Sequence, residues 1–503
     1  MLAVSLDIAN AFNSLPWSTI LAALEYHRMP RYLRQLITDY LSEREVVFLT
    51  GEGEVRIPMT RGVPQGSVLG PLLWNIGYDW VLRGANHRGV SVICYADDTL
   101  VTARGGTYRE AAVLATAGVA AVVDRIRRLG LQVALHKSEA ICFHGPRSGP
   151  PAGSNIVVGG TSIAIRPTLR YLGVVLDSKW RFEAHLRQLS PKLTGTAAAL
   201  SRLLPNIGGG DGSCRRLYMA VVRSMALYGA PIWAGSLNRG ETALLHRAQR
   251  VMAVRVCRGY RTLSHEVACV LAGSMPWDLE AEVLSSVYWR RVRAKEQDLR
   301  PTPQEVVRWR LTARARALET WRQRLLSEPT QRGTGAQRLI AAIRPVLAEW
   351  VQRGHGAQNF RLTQVLSGHG CFGRYLHSVA GREQTPECHR CGYQMDTAQH
   401  VLESCPAEME PRRELVAVVG ADLSLPIIIL RMVDDERSWD AMVSFCETVV
   451  SRREVEERER EVAPLAPPRR RVRRRRRANQ ALSPPLLGGS GVLDTGASGT
   501  PDL

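Results

Sequence analysis

The sequence predicts an α+β protein: an antiparallel sheet backed by helices over residues 1–180, followed by a helical remainder. Strand and helix signals alternate through the first 180 residues, whereas from 181 the apolar residues recur at helical spacing. An apolar fraction of 45% across 503 residues is enough for about three domains.

Taken in order, the run 2–7 is apolar until Asp7, reads as a strand, and passes into a helical pattern. Helical spacing follows at 16–28 and 30–42, then a strand-like stretch at 46–58. A Gly/Pro loop opens into a helix expected at 67–84. Strands are expected at 91–95 and 99–103, a helix at 108–129, and strands at 140–143 and 171–176. Residues 145–154 form a loop by composition. Helices are then expected at 182–204 and 213–228, separated by the glycine-rich 206–212, and at 240–258, 278–298, 304–327 and 335–353. An apolar stretch at 414–430 precedes a charged, solvated helix at 452–461. The tail 462–503 carries eight Arg against two Asp, with the Arg run at 469–477 and a Pro/Gly/Ser-rich end, so disorder is expected there.

The chemistry begins at Tyr95-Ala96-Asp97-Asp98, framed by apolar runs on both sides. Two adjacent acids between strand-like runs read as a hairpin tip, from which both carboxylates emerge at one edge. Such a pair repels itself unless a divalent cation neutralises it. Bringing Asp7 beside Asp97 and Asp98 would make an oxygen-rich site for two Mg²⁺ ions, the arrangement that serves phosphoryl transfer. Between them lies Arg61-Gly62-Val63-Pro64-Gln65-Gly66, whose glycines admit a ligand close to the backbone and whose Gln65 offers an amide. The pattern points to a nucleotide polymerase.

A net charge of +19 and a pI near 10.0 call for a polyanionic partner. Residues 289–324 hold eleven Lys/Arg against four acids, with Trp289, Trp309 and Trp321 interleaved. That mixture suits either a groove that tracks phosphates and stacks bases or a solvated face with core Trp. No stretch approaches the roughly 20 uncharged apolar residues of a membrane span. The N-terminus lacks a basic n-region, so no signal peptide is expected. Cys94, Cys142, Cys214, Cys257, Cys269 and Cys446 are scattered and read as small core residues. Cys388, Cys391, His400 and Cys405 follow C-x2-C-x8-H-x4-C, a spacing that suits a closed tetrahedral zinc site, a knuckle at 381–410. His389 remains an alternative ligand by sequence; His369 and Cys371 read as structural.

Asp7 with Phe12, Pro64-Gln65-Gly66, the tetrad at 95–98, Gly130-Leu131 with Lys137-Ser138, and Leu169 to Gly173 occur in reverse-transcriptase order. The set resembles the reverse transcriptases of non-LTR retrotransposons, and among those the arthropod elements that insert in ribosomal DNA. The likeness runs to about residue 410, and the Cys-Cys-His-Cys spacing resembles the motif found behind the polymerase in this group. It implies a palm at 1–180, a helical thumb at 181–260, a basic helical region at 261–380, the knuckle, and a helical segment at 411–461. It implies that Asp7, Asp97 and Asp98 hold two Mg²⁺ and that Lys137 assists the leaving pyrophosphate. Phe12 would gate against ribose, with a buried core Phe as the competing reading. Gln65, Gly66 and Tyr95 would line the substrate pocket, and 169–173 would grip the primer end. Implied partners are an RNA template, a DNA primer or target, and dNTPs. The implied setting is the nucleus, with a cytoplasmic ribonucleoprotein phase. Oligomeric state is left open.

Only six residues precede Asp7, and no Arg or Lys occurs before Arg28. In the family, a fingers subdomain with basic residues lies there. A truncated polymerase with impaired catalysis is therefore expected, the rival being a nucleic-acid-binding remnant without catalysis. A group II intron maturase is disfavoured by the Cys-Cys-His-Cys site.

Overall fold

The structure, a computed structural model, describes residues 1–64, 66–145, 149–327 and 334–463. Its strands are β1 (Leu2–Leu6), β2 (Glu45–Thr50), β3 (Gly53–Pro58), β4 (Val90–Tyr95), β5 (Asp98–Ala103), β6 (Glu139–Cys142), β7 (Asn155–Val158), β8 (Thr161–Arg166), β9 (Thr168–Tyr171) and β10 (Val174–Asp177). Six of them form one sheet in the order β4-β5-β1-β6-β8-β7. The first four strands in that order, β4, β5, β1 and β6, are antiparallel, as expected, but β6 and β8 pair in parallel, so the sheet is mixed.

β1 lies inside the sheet, with Leu2, Val4 and Leu6 facing a helical layer and Ala3 facing the other side. The layer's main helix is Tyr108–Arg128, capped by Thr107 accepting from the Glu110 N–H at 3.2 Å. Its apolar stripe of Ala111, Ala115, Val119, Val122 and Ile126 recurs at three- and four-residue spacing and is buried. On the opposite face, Leu169 of β9 packs against Ala3, Leu100 and Ile141. The hairpin β9–β10 thus lies over the sheet beside the acids.

Several expected elements divide. The stretch 46–58 is the exposed hairpin β2–β3, and 171–176 belongs to the hairpin β9–β10, with Leu172 and Gly173 both at positive φ in its turn. The helix expected at 67–84 starts at Gly70, whose N–H is held by Ser67 Oγ at 2.8 Å, and breaks near Asp79 into Gly70–Tyr78 and Trp80–Arg83. The helix expected at 335–353 breaks at Pro345, which lacks an amide hydrogen to continue the ladder.

After β10 the chain is helical. One hydrophobic cluster, with Trp233, Trp277, Trp321, Trp350 and Trp439 buried, runs from Val174 to Val450. The segments expected as thumb, basic region and last helical segment share this core. The charged helix expected at 452–461 is the end of a longer one, Glu436–Val462, whose Trp439, Met442, Phe445 and Val449 are buried. Among the described residues, no helix is long and apolar enough to cross a membrane. The Arg run at 469–477 lies outside the described residues.

Candidate functional site

The register assembles the first site. Leu6 ends β1 opposite Thr99, so Asp7 follows at the level of Asp98, where β5 begins. Tyr95 and Asp98 pair across a two-residue turn of Ala96 and Asp97. On the other side of β1 the ladder ends with Ser5 opposite Glu139 and resumes with Ile8 opposite Val133, so Asp7 lies across from Ala134 while Lys137 sits in the turn Leu135–Lys137 between them. Ala134 N–H donates to the Asp7 carbonyl at 2.8 Å, tying the segment before Lys137 to the acid's own backbone. Asp7, Asp98, Lys137 and Tyr95 are exposed and Asp97 is half-buried.

The electrostatics match that placement. Burial, then Asp97, then Asp7, raise the Asp98 carboxyl above its usual range. Among the described residues no basic side chain forms an ion pair with any of the three acids. They share an edge but are not drawn into a group with ligand atoms within 4.8 Å of one another.

Phe12 lies on the short helix Ala11–Ser14, half-buried, with its ring stacked on Trp74 at 4.9 Å. Trp74 stacks on Tyr78 at 5.1 Å, and the Tyr78 hydroxyl bonds Thr99 Oγ1 at 2.7 Å. An aromatic ladder therefore runs from Phe12 to the residue after Asp98. Val63 N–H donates to the Phe12 carbonyl at 2.7 Å, which fixes the start of the 61–66 loop against the same helix. Gly66 is exposed at φ +83°, whereas Gln65 lies outside the described residues. Tyr171, at the end of β9, is raised in pKa by burial, then by Asp98 and Cys94, so the hairpin tip stands near the acids. Sequence reading missed Tyr78 and Thr99, whose only signal is placement in the fold; Tyr171 lies in the 169–173 segment expected to grip the primer end.

The second site joins all four residues that the spacing selected. Cys388, Cys391, His400 and Cys405 each offer one ligand atom within 4.8 Å of the others. Cys388 and Cys405 sulfurs are 4.0 Å apart, and Cys391 Sγ lies 3.2 Å from His400 Nε2. Gly392 takes φ +73° in the tight turn after the first pair. His400 is on the helix Ala398–Glu403, and its Nδ1 faces Ser404 Oγ at 3.1 Å, leaving Nε2 toward the sulfurs. Burial pushes the Cys405 thiol up to about 12 and lowers the His400 imidazole, so a metal here meets a neutral imidazole and displaces thiol protons. His389 turns away to Glu383 at 3.3 Å and is not in the group; Cys371 is a buried core residue outside it.

Nothing in the sequence pointed to Arg453. Buried on the long helix Glu436–Val462, it donates to Cys388 Sγ at 3.3 Å and to Asp396 at 2.8 Å. Three thiolates and an imidazole around a divalent ion carry a net negative charge, which a buried guanidinium offsets.

A third group, His246, His265 and Glu266, also brings its polar atoms within 4.8 Å of one another. Its imidazoles are stacked at 3.9 Å and nearly parallel, and they bond Asp278 and Gln249. Parallel rings cannot aim both lone pairs at one ion, so this is a structural polar knot.

Residues 1–176 match the family described as reverse transcriptase (RNA-dependent DNA polymerase). The chain is similar to the Pol polyprotein of the type-1 retrotransposable element R1 of Bradysia coprophila, 27% identical over 81% of this chain and 40% of that protein. It is similar to the R1 4 Pol polyprotein of Nasonia vitripennis, 26% identical over 70% of this chain and 93% of that one. A Drosophila melanogaster protein named RNA-directed DNA polymerase from mobile element jockey is 25% identical over 45% of this chain and 25% of its own length. The chain thus spans less than half the length of the Bradysia relative.

Proposed function

We propose that this chain, whose residues 1–176 belong to the reverse transcriptase family, is the RNA-directed DNA polymerase part of a non-LTR retrotransposon protein. The reaction is template-directed addition of dNTPs to a DNA 3′-hydroxyl. The observation that carries it is the shared sheet edge of Asp7, Asp97 and Asp98 within the matched region. The three acids are oxygen donors with unbalanced charge, a set that fits hard divalent cations. They would hold two Mg²⁺ ions, which when bound would activate the attacking hydroxyl and offset the charge of the leaving pyrophosphate.

The chain's own groups do the rest. Lys137, exposed on the turn Leu135–Lys137, would supply a proton or positive charge to the pyrophosphate. Phe12, braced by Trp74, crowds a ribose 2′-hydroxyl and so favours dNTPs. Gly66 and Tyr95 would line the nucleotide and template pocket, to which the family resemblance also assigns Gln65. The β9–β10 tip, near Asp98 through Tyr171, holds the primer end. Cys388, Cys391, His400 and Cys405 would hold a structural Zn²⁺, which fastens the knuckle. The working site is nuclear, with a cytoplasmic ribonucleoprotein phase.

Primer extension by the whole chain with Mg²⁺ on an RNA template and DNA primer tests the reading. Asp97→Asn is expected to lower incorporation at least about 10²-fold while binding of the template–primer persists. Equal extension by both proteins would reject the site. Binding without extension by the unmodified chain would leave a nucleic-acid-binding remnant.

A further inference from the structure

The helices Trp277–Glu296 and Pro303–Ser327 fold back on each other as a hairpin. Its base is anchored in the helical core by Trp277, Leu279 and Ala281 on one side and Ala317, Leu318, Trp321 and Leu325 on the other. The outer part is different. From Lys295 to Arg316 no residue is buried. The Trp289 indole N–H still reaches the Pro231 carbonyl at 2.9 Å, and beyond it the helix from Arg290 to Glu296 carries the end of the arm outward by roughly 10 Å.

Its charge is as unusual as its exposure. Residues 288–316 hold nine Lys/Arg against three acids. The stripe that buries Ala317, Trp321 and Leu325 continues outward, at spacings of three and four, as Arg314 and Arg310. Where a packed helix would go on with apolar residues, this one changes to guanidinium groups. Arg290 lies 4.4 Å from the Trp309 ring centroid and clasps the two helices together partway out. Among the described residues, Arg291, Arg293, Arg300, Arg310 and Arg316 have no ion-pair partner. An arm that repels itself and buries nothing at its end is held for a polyanion.

We propose that this arm grips duplex DNA through its phosphates. The inference rests on the polymerase reading only for DNA being at hand. A helix about 10–12 Å across enters the roughly 12 Å major groove of B-form DNA, while the deep, narrow groove of A-form RNA excludes it. The arm's contacts fix position and carry no sequence preference.

The test compares the full chain with a variant carrying Arg300→Gln, Arg310→Gln and Arg316→Gln together. Fluorescence anisotropy follows binding to a labelled DNA duplex, the RNA duplex of the same sequence and the single DNA strand, across a KCl series. The variant is expected to bind duplex DNA more weakly, with the slope of log K against log salt shallower by about 0.9 for each phosphate no longer neutralised, roughly 2–3 in all. Unchanged melting temperature and zinc content establish that the variant is folded. An unchanged slope on duplex DNA overturns the proposal, as does an equal weakening on duplex RNA or on the single strand. Asp97→Asn separates the two readings: it stops extension if the polymerase reading holds and leaves the DNA salt slope intact either way.

Discussion

Ala96 takes φ +53° at the tip of the β4–β5 turn, next to two acids that repel each other. A side chain in the left-handed region costs about 1–2 kcal/mol, and glycine or asparagine would be easier there. The turn is therefore held by its surroundings, chiefly the buried Thr99 and its bond to Tyr78. A different buried acid shows the opposite balance. Burial raises the Asp278 carboxyl, but hydrogen bonds from His246 and Arg324 outweigh it and hold the pKa at about 2. With the folded value below the ordinary 3.8, this acid adds stability that is complete well above 3.8 and is lost as pH falls through about 2. Asp278→Asn is expected to lower unfolding free energy by about 2 kcal/mol at neutral pH, with the difference closing toward about pH 2. Denaturant titrations at both pH values measure it, and a gap that does not depend on pH would refute it. At this scale the acids were legible, because their residue types sit between apolar runs. Tyr78 with Thr99, 21 residues apart, and Arg453 with Cys388, 65 apart, were not, since only the fold brings them together.

Elements explain why the knuckle is more than a four-residue motif. Along the helix Glu436–Val462, Arg453 meets Asp396 and Cys388, Glu456 meets Arg390 at 2.5 Å, and Glu457 meets Arg382 at 3.0 Å. The helix therefore braces the turn that carries Cys388 and Cys391 from behind, and the segment 380–410 alone lacks that support. Arg453→Leu is expected to cost about 3–5 kcal/mol, because Asp396 and the Cys388 sulfur lose their buried cation. Zinc should then pass to a chelating dye faster than from the unmodified chain, with Arg453→Lys intermediate. Equal release rates in all three would mean that the guanidinium does not support the site. Hairpins were harder to read than helices. β7 and β8 were missed although Gly159-Gly160, both at positive φ, form a two-residue turn between Ile156/Val158 and Ile163/Ile165. Each strand is too short for alternation to stand out beside a Gly/Pro-rich loop. The long helices were legible because a repeat of three and four residues accumulates over several turns.

At the scale of the whole molecule, two hydrophobic clusters divide the described chain. One spans Leu2 to Ile163 around the sheet, and the other spans Val174 to Val450. What joins them is small: Leu169 of β9 against Ala3, Leu100 and Ile141, with Phe143 and Tyr171 at its margin. The change of character near 180 was legible in the sequence, but that every later segment shares one core was not, because the packing joins helices far apart in the chain. The two proposed metal sites fall on opposite sides of the division. A ligand stabilises only the cooperative unit that binds it, unless a large interface transmits the effect. Calorimetry on the whole chain is therefore expected to resolve two unfolding transitions. A zinc chelator, or Cys388→Ser, should lower the transition of the helical core and leave the sheet transition in place. Mg²⁺ should raise the sheet transition, and Asp97→Asn should abolish that rise without moving the other. A single transition displaced by every one of these treatments would show that the small patch around Leu169 couples the cores. The acids and the zinc centre would then belong to one folding unit.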